Sequence, residues 1–326
     1  MTDEAQPLPA AGARPTFGLV VAGAIFAALA LVPLLAEVWG GGWLTSLAIR
    51  AMIFAIAALS LDLLMGHGGL VSFGHSAFVA IGAYATGILI TEGVYEMAAI
   101  LPVAVAAAAL FALASGAVCM RTSGVSFIMI TLAFGQMVFF ALGSLAQYGA
   151  DDGLTLWSAP DLLGAGWLAS DTGAYAAVLG VLVGVWALIH AIAGSRFGRV
   201  VRAARQNPTR VASMGYSVYR YRLTAYVIAG VIAAVAGVLW ATHAAFVSPS
   251  LAAWQRSGDL IVMVVLGGMG ARNGALIGAL FFVFIEEALS SITHDWRLIF
   301  GPVLVLIALF ARGGLAGLID RVRGPA

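Results

Sequence analysis

The side chains best suited to chemistry stand close together between residues 62 and 75. Asp62, His67, Ser72 and His75 are polar or ionisable, and they interrupt a stretch that is otherwise apolar and rich in glycine. An ionisable residue inside an apolar segment is by default a candidate functional residue. A metal centre is less favoured, because the two histidines have no cysteine or carboxylate beside them at ligand spacing. The pattern favours a polar path and hydrogen-bonded structural histidines.

Standard catalytic motifs are missing from the sequence. It contains no phosphate-binding P-loop, no G-x-S-x-G, no H-E-x-x-H and no C-x-x-C. The single cysteine, Cys119, lies in an apolar run and is predicted to be a core residue. We therefore expect no enzyme activity and no cofactor or metal bound by this chain, and energy for uphill movement must come from elsewhere.

The elements that position these residues belong to a membrane protein. Of 326 residues, 62% are hydrophobic and 10% are charged, whereas soluble domains average about 45–50% and about 25%. The net charge of +1 offers no basic surface for nucleic acid. The apolar runs are continuous and lack the alternation of a membrane barrel. The predicted fold class is an all-α, polytopic integral membrane protein.

A helix needs about 20 mostly apolar residues to cross a bilayer. The sequence offers ten such crossings, although a count of eight or nine also fits. The candidates are residues 17–37, 44–65, 70–91, 97–119, 124–147, 173–193, 222–246, 258–271, 274–292 and 297–311.

The arginines predict the orientation. All 16 basic residues are arginines, and cytoplasmic loops are enriched in basic residues. With the N-terminus in the cytoplasm, Arg256 and Arg297 lie outside and Arg50 lies within a span. The remaining thirteen lie inside: Arg14, Arg121, Arg196, Arg199, Arg202, Arg205, Arg210, Arg220, Arg222, Arg272, Arg312, Arg321 and Arg323. Both termini are therefore predicted to be cytoplasmic.

This orientation gives a domain plan. Residues 1–16 are polar and lack the basic start of a cleaved signal, so we expect a retained, disordered cytoplasmic tail. A membrane domain at 17–312 follows, and 313–326 forms a second cytoplasmic tail. The main loops are a basic cytoplasmic loop at 194–221 and an outer loop at 148–172.

The basic loop contains signals for a short helix. Asn207 is a good N-cap, Pro208 suits the first helical position, and Gly215 can take the left-handed position after the helix. Val211 and Met214 form an apolar pair at helical spacing. Two interpretations stay open: a loop that fixes topology and touches anionic lipid, or a helix that docks on another protein.

Two glycine-rich apolar segments, 65–87 and 260–289, stand at corresponding places in the two parts of the chain. Such a pair points to the path of a transporter, because broken helices occur where they line a cavity. Close helix packing alone is the alternative. The candidate path residues are Asp62, Gly69, Ser72, His75, Gly82, Gly267, Gly268 and Gly270.

The outer loop carries Asp151, Asp152 and Trp157. Tryptophans in such a loop anchor the chain at the membrane interface, or the loop receives a soluble partner. Both interpretations stay open.

Four motifs resemble a known family, the LivM-type permease subunits of bacterial branched-chain amino-acid ABC transporters. They are LDLLMGHGGLVSFGHSAFVAIGAYATG (61–87), ADDGL (150–154), FGRVVRAARQNPTRVASMGYSVYRYRLTAYVIAGVIAAVAGVLWA (197–241) and VSPSLAAWQRSGDLIVMVVLGGMGARNGALIGA (247–279). They cover most of the chain in the family's order.

The resemblance implies an inner-membrane permease that imports branched-chain amino acids by alternating access. It implies a LivH-like second permease subunit, two cytoplasmic ATPases that bind ATP and magnesium, and a periplasmic binding protein that meets Asp151, Asp152 and Trp157. It also implies an ATPase-coupling helix formed by Asn207, Pro208, Arg210, Val211, Met214 and Gly215.

The sequence departs from the family at two places. The usual Glu-Ala-Ala segment of importer loops is replaced by residues 210–213, which lack the acid, and Asp62 stands where the family commonly has asparagine. Permeases for urea, other amides and other amino acids resemble this chain too.

Two alternative functions stay open. One is a secondary transporter that uses Asp62 or Glu286 for a coupling proton, and the other is a membrane enzyme built on His67, His75 and Asp62.

Overall fold

The structure, a computed structural model, describes residues 15–39, 42–158, 160–161, 170–291, 298–302, 304 and 313–317. Within these ranges the chain is almost wholly helical. The main helices are α1 (Pro15–Trp39), α2 (Gly42–Asp62), α3 (His75–Thr91), α4 (Met97–Cys119), α5 (Val125–Gly143), α6 (Asp171–Gly194), α7 (Arg196–Gln206), α8 (Pro208–Ser213), α9 (Val218–Ala244), α10 (Trp254–Gly267) and α11 (Gly274–Ser290). The predicted all-α class is confirmed.

Six of the described helices are long and apolar enough to cross a bilayer. They are Gly18–Ala36, Gly42–His67, Met97–Cys119, Val125–Gly143, Asp171–Gly194 and Val218–Ala244. Helices α3, α10 and α11 have only 17, 14 and 17 residues. The chain is therefore a multi-pass helical membrane protein, and the count of ten crossings stays a prediction.

Several predicted segments lie wholly or partly outside the described residues. Residues 1–14 and 318–326 contain most of the two predicted tails, and 305–312 contain half of the predicted last span. Helix α1 begins at Pro15, two residues before the predicted start.

The predicted span at 70–91 is wrong in its first five residues. Helix α2 continues through a π-helical turn at Leu63–His67, and the chain then runs non-helically to the start of α3 at His75. Gly69 in this link has a φ of +70°, a conformation that favours glycine. The apolar segment continues through these closely spaced glycines, but the helix does not. The hydrophobic run and the helix therefore do not coincide.

Helix α2 lies in the middle of the bundle, and most of its residues from Leu47 to Asp62 are buried. Helices α3 and α9 approach unusually closely beside it. A Cβ atom at Gly82 would overlap the carbonyl oxygen of Ala234, and one at Gly237 would overlap the carbonyl oxygen of Val79. Small residues permit such contact between the backbones of membrane helices.

A two-stranded antiparallel ladder joins the loop after α5 to the end of α9. Strand β1 (Leu154–Thr155) pairs with β2 (Phe246–Val247), with Leu154 opposite Val247. Strand β2 directly follows α9, and β1 precedes α6 in the chain, whereas α7 and α8 connect the end of α6 to the start of α9. The basic loop and the strand of the outer loop therefore lie at opposite ends of α9, and the orientation across the membrane stays a prediction.

Candidate functional site

The two glycine-rich segments meet at Asp62. This residue is 3% exposed, and its Oδ1 accepts a hydrogen bond of 2.9 Å from the backbone N–H of Gly270. A Cβ at Gly66 would collide with the backbone of Gly270. The turn between α10 and α11 is therefore held directly against the π-helical end of α2. We call this contact of Asp62, Gly66 and Gly270 the glycine junction.

Arg205, in the last turn of α7, reaches the same place. Its Nη1 donates a hydrogen bond to the carbonyl oxygen of Gly66, and its Cγ lies 2.7 Å from where a Cβ of Gly69 would be. The absence of a side chain at Gly69 thus leaves room for the arginine stem. The sequence pattern placed Arg205 only among the arginines that indicate topology. A signal was present, since α7 alternates arginines with small and apolar residues at helical spacing.

Helix α7 is also tied to α9. Arg222 donates a hydrogen bond of 3.2 Å from Nη2 to the carbonyl oxygen of Ala204. The rings of Phe197 and Tyr221 stack with their centroids 5.5 Å apart. These contacts hold α7, which belongs to the basic loop, against the start of α9.

The predicted path residues Ser72 and His75 lie in a second polar group. His75 Nε2 is 2.8 Å from Ser60 Oγ, and both residues are fully buried. His75 Nδ1 and Ser72 Oγ are buried without a hydrogen-bond partner among the described residues. A hydrogen bond of 2.7 Å between Ser76 Oγ and Ser257 Oγ lies beside this group. In the part of the chain that the structure describes, no hydrogen bond joins Ser72 or His75 to Asp62, so the predicted polar stretch divides into two groups.

Three further predicted path glycines have packing or turn contacts. Gly82 faces Ala234 of α9, and a Cβ at Gly267 would overlap the carbonyl oxygen of Gly274. Gly268 has a φ of +110° at the end of α10. These are the contacts that close packing requires, and a role in lining the path stays a prediction.

A cavity of about 340 Å³ opens beside the glycine junction. We call it the inner cavity. It lies where α2 and α6 approach α7, a helix of the basic loop that is predicted to be cytoplasmic. Its charged and polar lining comes from α2, α6, α7 and the turn between α10 and α11, and Leu59 and Ile189 supply aliphatic wall. The polar side chains are Asp62, His67, His190, Arg202 and Arg272.

The predicted short helix in the basic loop is present as α8. Asn207 caps it, accepting a hydrogen bond of 2.9 Å at Oδ1 from the backbone N–H of Arg210, and Gly215 has a φ of +86°. The predicted apolar pair is divided, because Val211 is 5% exposed and Met214 is 66% exposed. Val211 packs within the chain, whereas Met214, which directly follows α8, presents an exposed apolar side chain.

In the outer loop, Asp151 and Asp152 are exposed and Trp157 is 92% exposed.

Arg50 forms an ion pair with Glu287, with 2.9 Å between Nη2 and Oε2. Glu286 Oε2 lies 3.7 Å from the same nitrogen. No motif in the sequence predicts that Arg50 pairs with these acids. Their separation along the chain hides the pairing, although an arginine within a span demands a partner.

Among the described residues, no three histidine, cysteine, aspartate or glutamate side chains lie close enough together to hold a metal ion. His67 and His75 take separate partners. The Nδ1 of His67 lies 4.0 Å from Oδ2 of Asp62, whereas His75 contacts Ser60.

Comparison with known proteins gives the class to which this arrangement belongs. Residues 43–309 match the family described as the permease component of branched-chain amino-acid transport systems. The chain therefore belongs to this permease family. No solved structure gives a significant match.

Individual relatives agree with this assignment. The chain is 29% identical to the high-affinity branched-chain amino-acid transport permease LivM of Escherichia coli K12, over 82% of this chain and 69% of the relative. It is 26% identical to LivH of the same organism, over 81% and 91%. It is also 29% identical to LsrC of Enterobacter, an autoinducer 2 import permease, over 73% and 70%.

Proposed function

We propose that this chain is a membrane-spanning permease subunit of an ATP-driven importer that moves branched-chain or related amino acids into the cytoplasm. The observation that carries the proposal is the family match across residues 43–309. The capped α8, followed by the exposed Met214, supports the proposal, because a separate ATPase subunit needs an exposed, well-formed helix on which to dock. This role requires neither a catalytic residue nor a cofactor in this chain.

The proposal includes an assembly. A second, LivH-like permease subunit would pair with this chain, two cytoplasmic ATPases carrying ATP and magnesium would drive α8, and a periplasmic protein would deliver solute near Trp157. In this assembly the protein lies in the bacterial inner membrane with ten crossings and both termini in the cytoplasm. The excess of arginine at the α7–α8 end supports the orientation.

The substrate proposed for this chain covers only part of the range of solutes for which its relatives are named. Relatives named for branched-chain amino acids and one named for autoinducer 2 import all match this chain. Urea, amides and other amino acids are the competing substrates of the proposal. Competition of uptake among leucine, valine, urea and a neutral polyol would rank them.

The first prediction tests coupling through α8. Met214→Asp is expected to reduce ATP-driven uptake by the reconstituted transporter at least about tenfold, because a charge in an apolar contact costs about 1–3 kcal/mol or more. Folding should be unchanged, since Met214 is 66% exposed. Uptake into proteoliposomes and copurification of the ATPases are the measurements.

Met214→Leu is the matched control and should keep uptake near its original rate. Normal ATP-driven uptake by Met214→Asp would contradict the coupling role of α8. Uptake by this chain alone, lost on adding a proton uncoupler, would instead favour a secondary transporter.

A further inference from the structure

The inner cavity combines both signs of charge with an apolar wall. Asp62 supplies a carboxylate, Arg202 and Arg272 supply guanidinium groups, and Leu59 and Ile189 supply aliphatic surface. Its volume of about 340 Å³ falls at the lower end of small-molecule sites, which span about 300–1,000 Å³. The chemistry and size together fit a small ligand that carries a positive group, a negative group and an apolar side chain.

We propose that the inner cavity binds the imported solute as a zwitterionic amino acid with an aliphatic side chain. Asp62 accepts hydrogen bonds from the α-ammonium group, and Arg202 and Arg272 donate to the α-carboxylate. The aliphatic side chain lies against Leu59 and Ile189. This assignment rests on the proposed function and adds to it a place in this chain and a charge requirement.

Asp62 has acceptor capacity left for such a ligand. Its Oδ1 already accepts from Gly270, and its Oδ2 lies 4.0 Å from Nδ1 of His67. An ionised carboxylate offers about four lone-pair sites, so one contact with a backbone N–H does not saturate it. A ligand ammonium would therefore compensate a charge that the fold keeps 3% exposed.

Ligands of other charge fit the cavity less well. A purely anionic ligand would bring its charge against the buried carboxylate of Asp62. An uncharged apolar ligand would displace water from Asp62 and the arginines without replacing the lost hydrogen bonds, and an uncharged amide would replace them with weaker ones. A zwitterion satisfies both signs, and its two charged ends fix its orientation.

A cysteine-accessibility experiment on the complete transporter, without ATP, tests this site. Ala271→Cys places a thiol on the cavity wall, and the native Cys119 is buried. L-leucine is expected to slow the labelling of Ala271→Cys by a maleimide. Isoamylamine, which lacks the carboxylate, and 4-methylpentanoate, which lacks the ammonium, should each need about 10- to 100-fold higher concentration, since one charged hydrogen bond contributes about 1.5–3 kcal/mol.

Adding Asp62→Asn tests the role of the charge. Asparagine keeps an oxygen that can accept from Gly270, so the glycine junction is retained while the ammonium partner is lost. We expect about 10- to 100-fold weaker protection by leucine. Protection by the anion 4-methylpentanoate should become stronger, because its repulsion by the Asp62 carboxylate is removed. The control is Ser123→Cys, an exposed residue outside the cavity, whose labelling leucine should not slow.

Each contrary outcome has a distinct meaning. No protection by leucine, while ATP-driven leucine uptake proceeds, would overturn this site and leave the proposed function standing. Equal protection by inorganic phosphate or 4-methylpentanoate would overturn the zwitterion and indicate an anion site such as that for a lipid headgroup. Protection without ATP-driven uptake would support the site and contradict the importer function.

Discussion

Replacing Gly237 by alanine is expected to destabilise the folded chain by about 1–3 kcal/mol or more, the range measured for added atoms in a packed core. A Cβ at this position would overlap the carbonyl oxygen of Val79 and lie 2.9 Å from the backbone nitrogen of Ala83. Backbone atoms cannot rotate away as a side-chain tip can, so α9 and α3 must separate. The loss would exceed the gain of about 1 kcal/mol that alanine brings to a helix interior.

Gly184→Ala in α6 is the matched control. It is also a glycine inside a long apolar helix, but a Cβ there meets nothing within 4 Å. This variant should be as stable as the original chain or more stable, by up to about 1 kcal/mol. Thermal unfolding of both variants, purified in the same detergent, measures the difference. Equal stability of the two would show that the close contact between α3 and α9 does not form.

Replacing Arg205 by methionine is expected to lower ATP-driven uptake by about 10- to 100-fold, because a buried carbonyl that loses a charged donor costs about 1.5–3 kcal/mol. The donor is lost from the carbonyl of Gly66, while methionine keeps an apolar stem over Gly69. Helix α7 leads directly into the capped α8, so the variant would remove the hydrogen bond that connects this part of the basic loop to the glycine junction.

Uptake must be compared with ATP hydrolysis in this variant. If Arg205 transmits movement, hydrolysis stimulated by the loaded binding protein should continue while uptake falls. Arg205→Lys, which retains one charged donor, should recover part of the uptake. Arg220→Met removes an exposed arginine from the start of α9 and should have little effect. An equal fall of hydrolysis and uptake in Arg205→Met, without recovery by lysine, would contradict a transmitting role.

The sequence determined those features whose causes lie within a few neighbouring residues. The continuous apolar runs predicted a helical membrane protein, and the run at 97–119 matches α4 residue for residue. Asn207, Pro208 and Gly215 predicted α8 because capping and left-handed glycine act over one helical turn. The two glycine-rich segments were recognised as special, and the orientation that the arginines indicate stays a prediction.

Only the tertiary structure decided which of these residues meet. Asp62 and Gly270 are 208 residues apart, and no local pattern specifies that a carboxylate will accept from that particular N–H. The same is true of Arg205 at Gly66 and of Val211, which turns inward while Met214 stays exposed. Caps and hydrophobic runs are local and additive, whereas these contacts depend on how distant helices pack. The packing of α2, α7 and the α10–α11 turn therefore created the candidate site from residues that the sequence could only nominate separately.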